Sequence, residues 1–167
     1  MFVVLGDSAI YEFENAPPES EAWLRNRFQR LELRGPADLS EQWLNWVVRL
    51  PKGELAGYVQ ATVAADHKAQ VAYEFGSKFW RQGIGFEAVE AMLEELQSQY
   101  QVSTFTATLK ARNFRSYAFL GRLGFSLASA EQVEEASPEA NEIVMCKAAT
   151  SEALPSSGLT QVWRCGL

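Results

Sequence analysis

The sequence predicts a mixed α/β (α+β) domain, a mostly antiparallel sheet with helices packed on it. Three observations carry the prediction. Strand-like stretches Trp43–Leu50, Glu54–Ala64 and Ala69–Phe75 follow one another across the short turns Pro51-Lys52-Gly53 and Asp66-His67-Lys68, which suit antiparallel neighbours. An amphipathic stretch from Gly85 places Phe86, Val89, Met92, Leu93 and Leu96 on one side and Glu87, Glu90, Glu94 and Glu95 mostly on the other, the pattern of a helix lying on a sheet. Val102–Leu109 then alternates, and a strand reached through a crossover helix lies parallel to the strand before it.

In chain order, residues 2–15 admit either a short strand or a helix with Asp7 or Ser8 as its cap. Pro17 and Pro18 interrupt, after which Trp23, Leu24, Phe28 and Leu31 recur at helical spacing up to Gly35-Pro36. Arg25, Arg27, Arg30 and Arg34 fall between them and read as a solvated face. The three strands form a meander, which puts His67, the only histidine, at a hairpin tip. After Val102–Leu109, Asn113 caps a short helix expected to turn Tyr117, Leu120 and Leu123 inward and to end at a left-handed Gly124. Phe125–Ala128 and Glu142–Ala148 complete the sheet as two strands. Glu131, Glu134, Glu135, Glu139 and Glu142 between them read as a solvated loop.

At 167 residues the chain makes one domain with a sizeable core and no need of disulfide or metal staples. No apolar run reaches the length of a membrane span and residues 1–10 lack a signal-peptide pattern, so a cytoplasmic protein is expected. Neither Cys146 nor Cys165 has a Cys or His neighbour at metal-ligand spacing. Free thiols and no metal follow. A net charge of −6 argues against nucleic-acid binding. The distribution is uneven: no acidic residue occurs from Leu96 to Ala130, whereas Lys110, Arg112, Arg115 and Arg122 do, and Lys78 and Arg81 precede the next feature.

That feature is FWRQGIGFEA, Phe79–Ala88, where strand gives way to helix. Gly83 and Gly85 remove two side chains at the helix N-terminus, so unpaired amides can turn toward an anion such as a pyrophosphate. A plain glycine connection is the alternative. Gly83, Gly85 and Ala88 also fit the GxGxxA dinucleotide fingerprint, but no acidic residue lies about twenty positions on and the upstream meander contradicts a doubly wound sheet. A P-loop is excluded because no Lys-Ser or Lys-Thr follows the glycines.

The loop Trp80–Gly85, followed some thirty residues on by Asn113, Ser116, Tyr117 and a helix ending Leu123-Gly124-Phe125, resembles the GNAT superfamily of N-acetyltransferases. Family members carry (Q/R)xxGx(G/A) there. Trp80 in place of the first Gln or Arg, and Glu87-Ala88, look like the ribosomal-protein alanine N-acetyltransferase branch. The resemblance covers about residues 42–148.

It implies that acetyl-CoA, a cosubstrate, enters where the strand ending at Phe75 splays from the strand starting at Val102, and that an amine attacks the thioester directly in a ternary complex. The pyrophosphate falls to the backbone of Arg81, Gln82, Gly83, Ile84, Gly85 and Phe86, and the pantetheine to Asn113. Ser116 or Tyr117 is the hydrogen-bond donor to the leaving thiolate. Glu74, on the strand bordering the cleft, is the one carboxylate available as a base; a solvated face is its other reading. The need for a base depends on the amine, since deprotonation at pH 7 costs roughly 4.6 kcal/mol for a lysine-like group and about 1 for an α-amine. Small-molecule and peptide amines both fit, with neither nucleic acid nor membrane as partner. A non-catalytic CoA-binding or protein-interaction module of the same fold is the alternative.

The acetyltransferase domain is expected to span residues 1–148, leaving 149–167 as a tail. Members usually open with a strand flanking the meander, and without one the strand Trp43–Leu50 has an exposed edge. The strand-like residues Leu159–Leu167 are expected to cover an edge, in their own chain or in a partner as a swapped homodimer.

Overall fold

The computed structural model describes residues 1–13 and 15–150, and the backbone of Val162–Arg164. A short helix α1 (Phe2–Leu5) and a 3-10 turn (Ser8–Tyr11) lead into α2 (Glu21–Leu31), then β1 (Glu41–Arg49), β2 (Leu55–Ala64) and β3 (Lys68–Phe75). There follow α3 (Ile84–Tyr100), β4 (Thr104–Lys110), α4 (Phe114–Arg122), β5 (Ser126–Leu127), α5 (Ala130–Ala136), β6 (Glu142–Ala148) and β7 (Val162–Arg164). Residues 2–11 are thus helical: Asp7 accepts from the Ala9 amide at 3.1 Å and starts the 3-10 turn. Its other carboxylate oxygen accepts from the Ser77 amide at 2.7 Å, pinning the segment to the chain beyond β3.

One mixed sheet runs in the order β5-β6-β4-β3-β2-β1-β7. Every pair is antiparallel except β3 with β4, as the crossover through α3 requires. That parallel pair is short. Lys68, Ala69 and Gln70 register with Thr104, Phe105 and Thr106, and beyond them the strands part, so Val71–Phe75 lack a ladder on that side. The backbone of Val162–Arg164 runs antiparallel along Trp46–Val48. Residues 151–161 and 165–167 of the expected tail, Cys165 among them, lie outside the described residues.

α3 buries Ala88, Val89, Met92, Leu93 and Leu96 in a core shared with Trp46, Val59, Val71 and Phe105. Truncating a side chain as deeply buried as Trp46 costs about 3–5 kcal/mol. A smaller cluster, Leu5, Leu24 and Tyr58 with Met1 and Phe28, joins α1 and α2 to β2. Gly57 permits this spacing of strands, since a Cβ there would stand 2.0 Å from the Glu74 carbonyl oxygen.

Two readings of the sequence are corrected. The acidic run is not a loop: Ser129 and Gln132 form a reciprocal capping box that starts α5, a signal present in the sequence as S-x-x-Q. Glu135 then pairs with Lys68, and Glu139 and Glu142 with Lys110. Tyr117 does not pack inward. The buried stripe of α4 runs through Leu120 to Leu123, and Tyr117 lies off it, 43% exposed. His67 is exposed in its turn with φ 62°, and Gly124 has φ 87°. Among the described residues no helix is long and apolar enough to cross a membrane, and no group of three His, Cys, Asp or Glu is placed to hold a metal.

Candidate active site

Where β3 and β4 part, a cleft of ≈ 260 Å³ opens. Val71–Glu74 form one wall, Ala107–Leu109 with Asn113, Ser116 and Leu120 the other, and Tyr11, Arg27, Tyr58 and Gln60 the floor and rim. Among the residues named from sequence, Glu74, Asn113 and Ser116 therefore meet in one space. Tyr117 is not among its lining.

Asn113 is the buried polar side chain among the described residues, 9% exposed. Its Oδ1 accepts from the Ser116 amide at 3.0 Å and caps α4. The carboxamide NH2 is left as the group it can offer to a ligand. Capping and ligand binding are thus compatible in one residue.

Glu74 stands directly across the β2–β3 ladder from Tyr58. Burial, then the Glu74 charge, push the Tyr58 hydroxyl well above the ordinary tyrosine range, with the Arg27 charge opposing them. Tyr11 is pushed up to about 12 by burial and next by Glu74, while its hydroxyl donates to the Leu5 carbonyl at 2.9 Å. Both phenols therefore stay protonated and act as donors. Arg27, read from sequence as solvated, is half-buried and reaches the cleft. Its signal was masked by Arg25 and Arg30 on the same helix and Arg34 just beyond it, and Tyr11, Tyr58 and Gln60 sat in stretches whose apolar pattern alone explained them. A smaller apolar groove of ≈ 130 Å³ between α2 and β1, lined by Phe28, Leu31 and Trp43, shares Arg27 and Tyr58 with the cleft.

The glycine junction lies at the N-terminus of α3, beside the cleft. Gly83 is the N-cap with φ 83° and ψ −22°, a left-handed conformation that strains any residue with a Cβ. It has no side chain with which to cap the helix, which leaves first-turn amides to other acceptors. Gly85 packs on the Phe75 ring, 3.3 Å from where its Cβ would be, and near Phe119 at 3.7 Å. Phe119 in turn stacks on Tyr73 of the cleft wall at 4.8 Å. Loop and cleft are thus joined through aromatic contacts. Gln82 is exposed, its amide donating to the Lys78 carbonyl at 2.6 Å, and Ile84 and Phe86 are partly buried against the core.

The basic stretch is mostly engaged elsewhere. Lys110 pairs with Glu139 at 2.6 Å and Glu142 at 2.8 Å, Arg115 with Glu12 at 2.7 Å, and Lys78 with Glu54 at 2.5 Å. Arg112 donates to the Phe13 carbonyl at 2.6 Å. Arg81, exposed with φ 59°, and Arg122, 5.4 Å over the Phe86 ring, remain as the cations flanking the loop. Trp80 has a structural explanation: it donates to the Phe75 carbonyl at 2.8 Å and lies under Arg115 at 4.5 Å. Cys146 is buried, and its thiol is pushed up by burial, then by Glu135.

A family model for the GNAT acetyltransferase domain matches residues 1–126, which contain the glycine loop, both splayed strands, Asn113 and Ser116. The chain belongs to the GNAT acetyltransferase family. Solved structures agree with the fold. A GNAT-family acetyltransferase from Bacillus anthracis superposes with a TM-score of 0.66 at 17% identity, over 89% of this chain and 86% of that one. The ribosomal-protein-alanine N-acetyltransferase of Brucella melitensis gives 0.61 at 18% identity over 89% and 91%. The spermidine N-acetyltransferase of Vibrio cholerae, in complex with CoA and spermine, gives 0.62 at 16% identity over 77% and 74%. These similarities show the GNAT fold without singling out a branch. No curated protein matches the chain in sequence.

Proposed function

We propose that this GNAT protein transfers an acetyl group from acetyl-CoA to a primary amine by direct attack in a ternary complex. The observation that carries the proposal is the cleft between the parted β3 and β4, which brings Glu74, Asn113 and Ser116 together beside the glycine junction. The donor set fits a thioester with a pyrophosphate tail. The side of β3 that faces β4 beyond their three registered pairs and the Asn113 carboxamide suit the pantetheine amides, and the first-turn amides of α3, with Arg81 and Arg122 near them, suit the phosphates.

Acetyl-CoA supplies an activated acyl carbon; the amine forms the new C–N bond as the C–S bond breaks, losing one proton while the CoA thiolate gains one. Glu74 takes the amine proton, directly or through one water. Tyr58 holds that carboxylate in place. Ser116 donates to the departing sulfur, and its position in the cleft supports this role over Tyr117. Cys146 takes no part, since its thiol is buried and lacks an activating partner.

Thiol release across an amine panel tests the proposal. Stoichiometric release of CoA and appearance of an N-acetyl amine are expected; CoA binding with no turnover on any amine would instead favour a non-catalytic CoA-binding module.

A further inference from the structure

The cleft carries two full charges among its described lining residues, Arg27 and Glu74. They arrive from different elements, α2 and β3, and line one cleft together with Tyr58, which stands directly across the β2–β3 ladder from Glu74. Tyr11 and Tyr73 also line the cleft, and Asp7 lies near Tyr11, tied to the Ala9 and Ser77 amides. Because both charges line one cleft of ≈ 260 Å³, a ligand that engages both must be compact. It must also have two ends of opposite demand, an ammonium for Glu74 and an acceptor oxygen for Arg27. A polyamine satisfies Glu74 with one nitrogen and then carries further ammonium groups toward a guanidinium, a like-charge approach that disfavours it.

We infer that Arg27 is a specificity determinant and that the acceptor is an amine bearing a carbonyl or carboxylate oxygen on the adjacent carbon, as in an α-amino acid or a peptide N-terminus. The inference rests on the acetyltransferase reading above. Glu74 receives the nitrogen and Arg27 the oxygen. Tyr58, across the ladder from Glu74 and in the same lining as Arg27, is the positioning residue between them. A peptide α-amine is also the class that asks least of a base, since its deprotonation at pH 7 costs far less than that of a lysine-like amine.

The test compares alanine, an alanine-initiated tripeptide, isopropylamine as the analogue lacking the oxygen, and spermidine. Each is measured by kcat and KM with acetyl-CoA and by calorimetric binding to the enzyme–CoA complex. Oxygen-bearing acceptors are expected to exceed isopropylamine and spermidine by about tenfold or more in kcat/KM, and alanine against the tripeptide tells carboxylate from amide carbonyl. In Arg27→Gln that preference collapses, chiefly through KM, while Arg27→Lys retains part of it. The ratio between variant and wild type cancels the intrinsic reactivities of the amines. A wild-type preference for spermidine, or an Arg27→Gln enzyme that keeps the preference, overturns this inference alone. Failure of CoA to bind overturns the acetyltransferase reading and this inference with it. Where CoA binds but turnover is absent, the calorimetric order of the acceptors decides.

Discussion

Tyr58 and Glu74 occupy directly opposed positions on β2 and β3, and burial with the carboxylate's own charge keeps the phenol protonated, so that it can donate to Glu74. A phenol in that position can orient the carboxylate toward the amine. Glu74 shares its face of β3 with the exposed Gln70 and Ala72, opposite the buried Val71 and Phe75, which is where a charge is tolerated.

Glu74→Gln should therefore lower kcat/KM by an amount that grows with the basicity of the acceptor. A general base contributes about 10²–10⁴-fold, and the full effect is expected for lysine-like amines. For α-amines, whose deprotonation costs only about 1 kcal/mol at pH 7, a loss nearer tenfold is expected, and raising the pH should restore much of it. Equal losses on both classes would remove the proton-accepting role.

Ser116 and Tyr117 are separated by the structure although they are neighbours in the chain. Ser116 lines the cleft, whereas Tyr117 is 43% exposed. Ser116→Ala should reduce kcat by about tenfold or more, with little change in CoA affinity, and Tyr117→Phe should leave both near wild type. The reverse order in steady-state kinetics would move the donor role to Tyr117.

The glycine loop predicts a binding defect that is separable from chemistry. Saturating CoA at a hundredfold excess over Kd should stabilise the wild type by about 2.7 kcal/mol, and NAD should not. Gly83→Val forces a β-branched residue into φ 83° at the helix N-terminus, so the shift should vanish while the unliganded protein still unfolds cooperatively. Gly85→Ala meets the Phe75 ring at 3.3 Å and should weaken the shift less. Stabilisation by NAD and not by CoA would overturn the assignment of the loop.

Asp7 provides a pH-dependent stability term. Hydrogen bonds from Ser77 above all, then from Ala9, hold its carboxyl below the usual carboxylate range. Because the folded value is the depressed one, the stabilisation is fully present above the unfolded value of about 3.9 and is lost as pH falls through the folded value. Asp7→Asn should cost about 1 kcal/mol near neutrality, with the gap to wild type closing below pH 4 in denaturant titrations. A gap that is constant with pH would show that the charge is immaterial.

Much of this fold is legible in the sequence because local pattern and tertiary role coincide. The meander, the crossover helix and the Asn113 cap each rest on short-range signals that packing does not contradict. The site is legible in part. Glycine spacing and the Asn113–Ser116 pair are local, but Arg27, Tyr58 and Glu74 come from three separate elements and are united only by strand register and by the placement of α2. The basic stretch misled for the same reason: Lys110, Arg112 and Arg115 are spent on Glu139, Glu142, Phe13 and Glu12, partners distant in sequence. Tyr117 shows how a stripe read at helical spacing can include a residue at its margin that the packed helix turns outward.

The most direct measurement is mass spectrometry of an amine panel incubated with the protein and isotopically labelled acetyl-CoA. The account predicts label on the amine nitrogen of at least one acceptor, with CoA released in equal amount and no label on Cys146. It also predicts undiminished product from Cys146→Ser once its stability is matched by temperature. Label trapped on Cys146, or bound acetyl-CoA with no labelled amine anywhere in the panel, would contradict it.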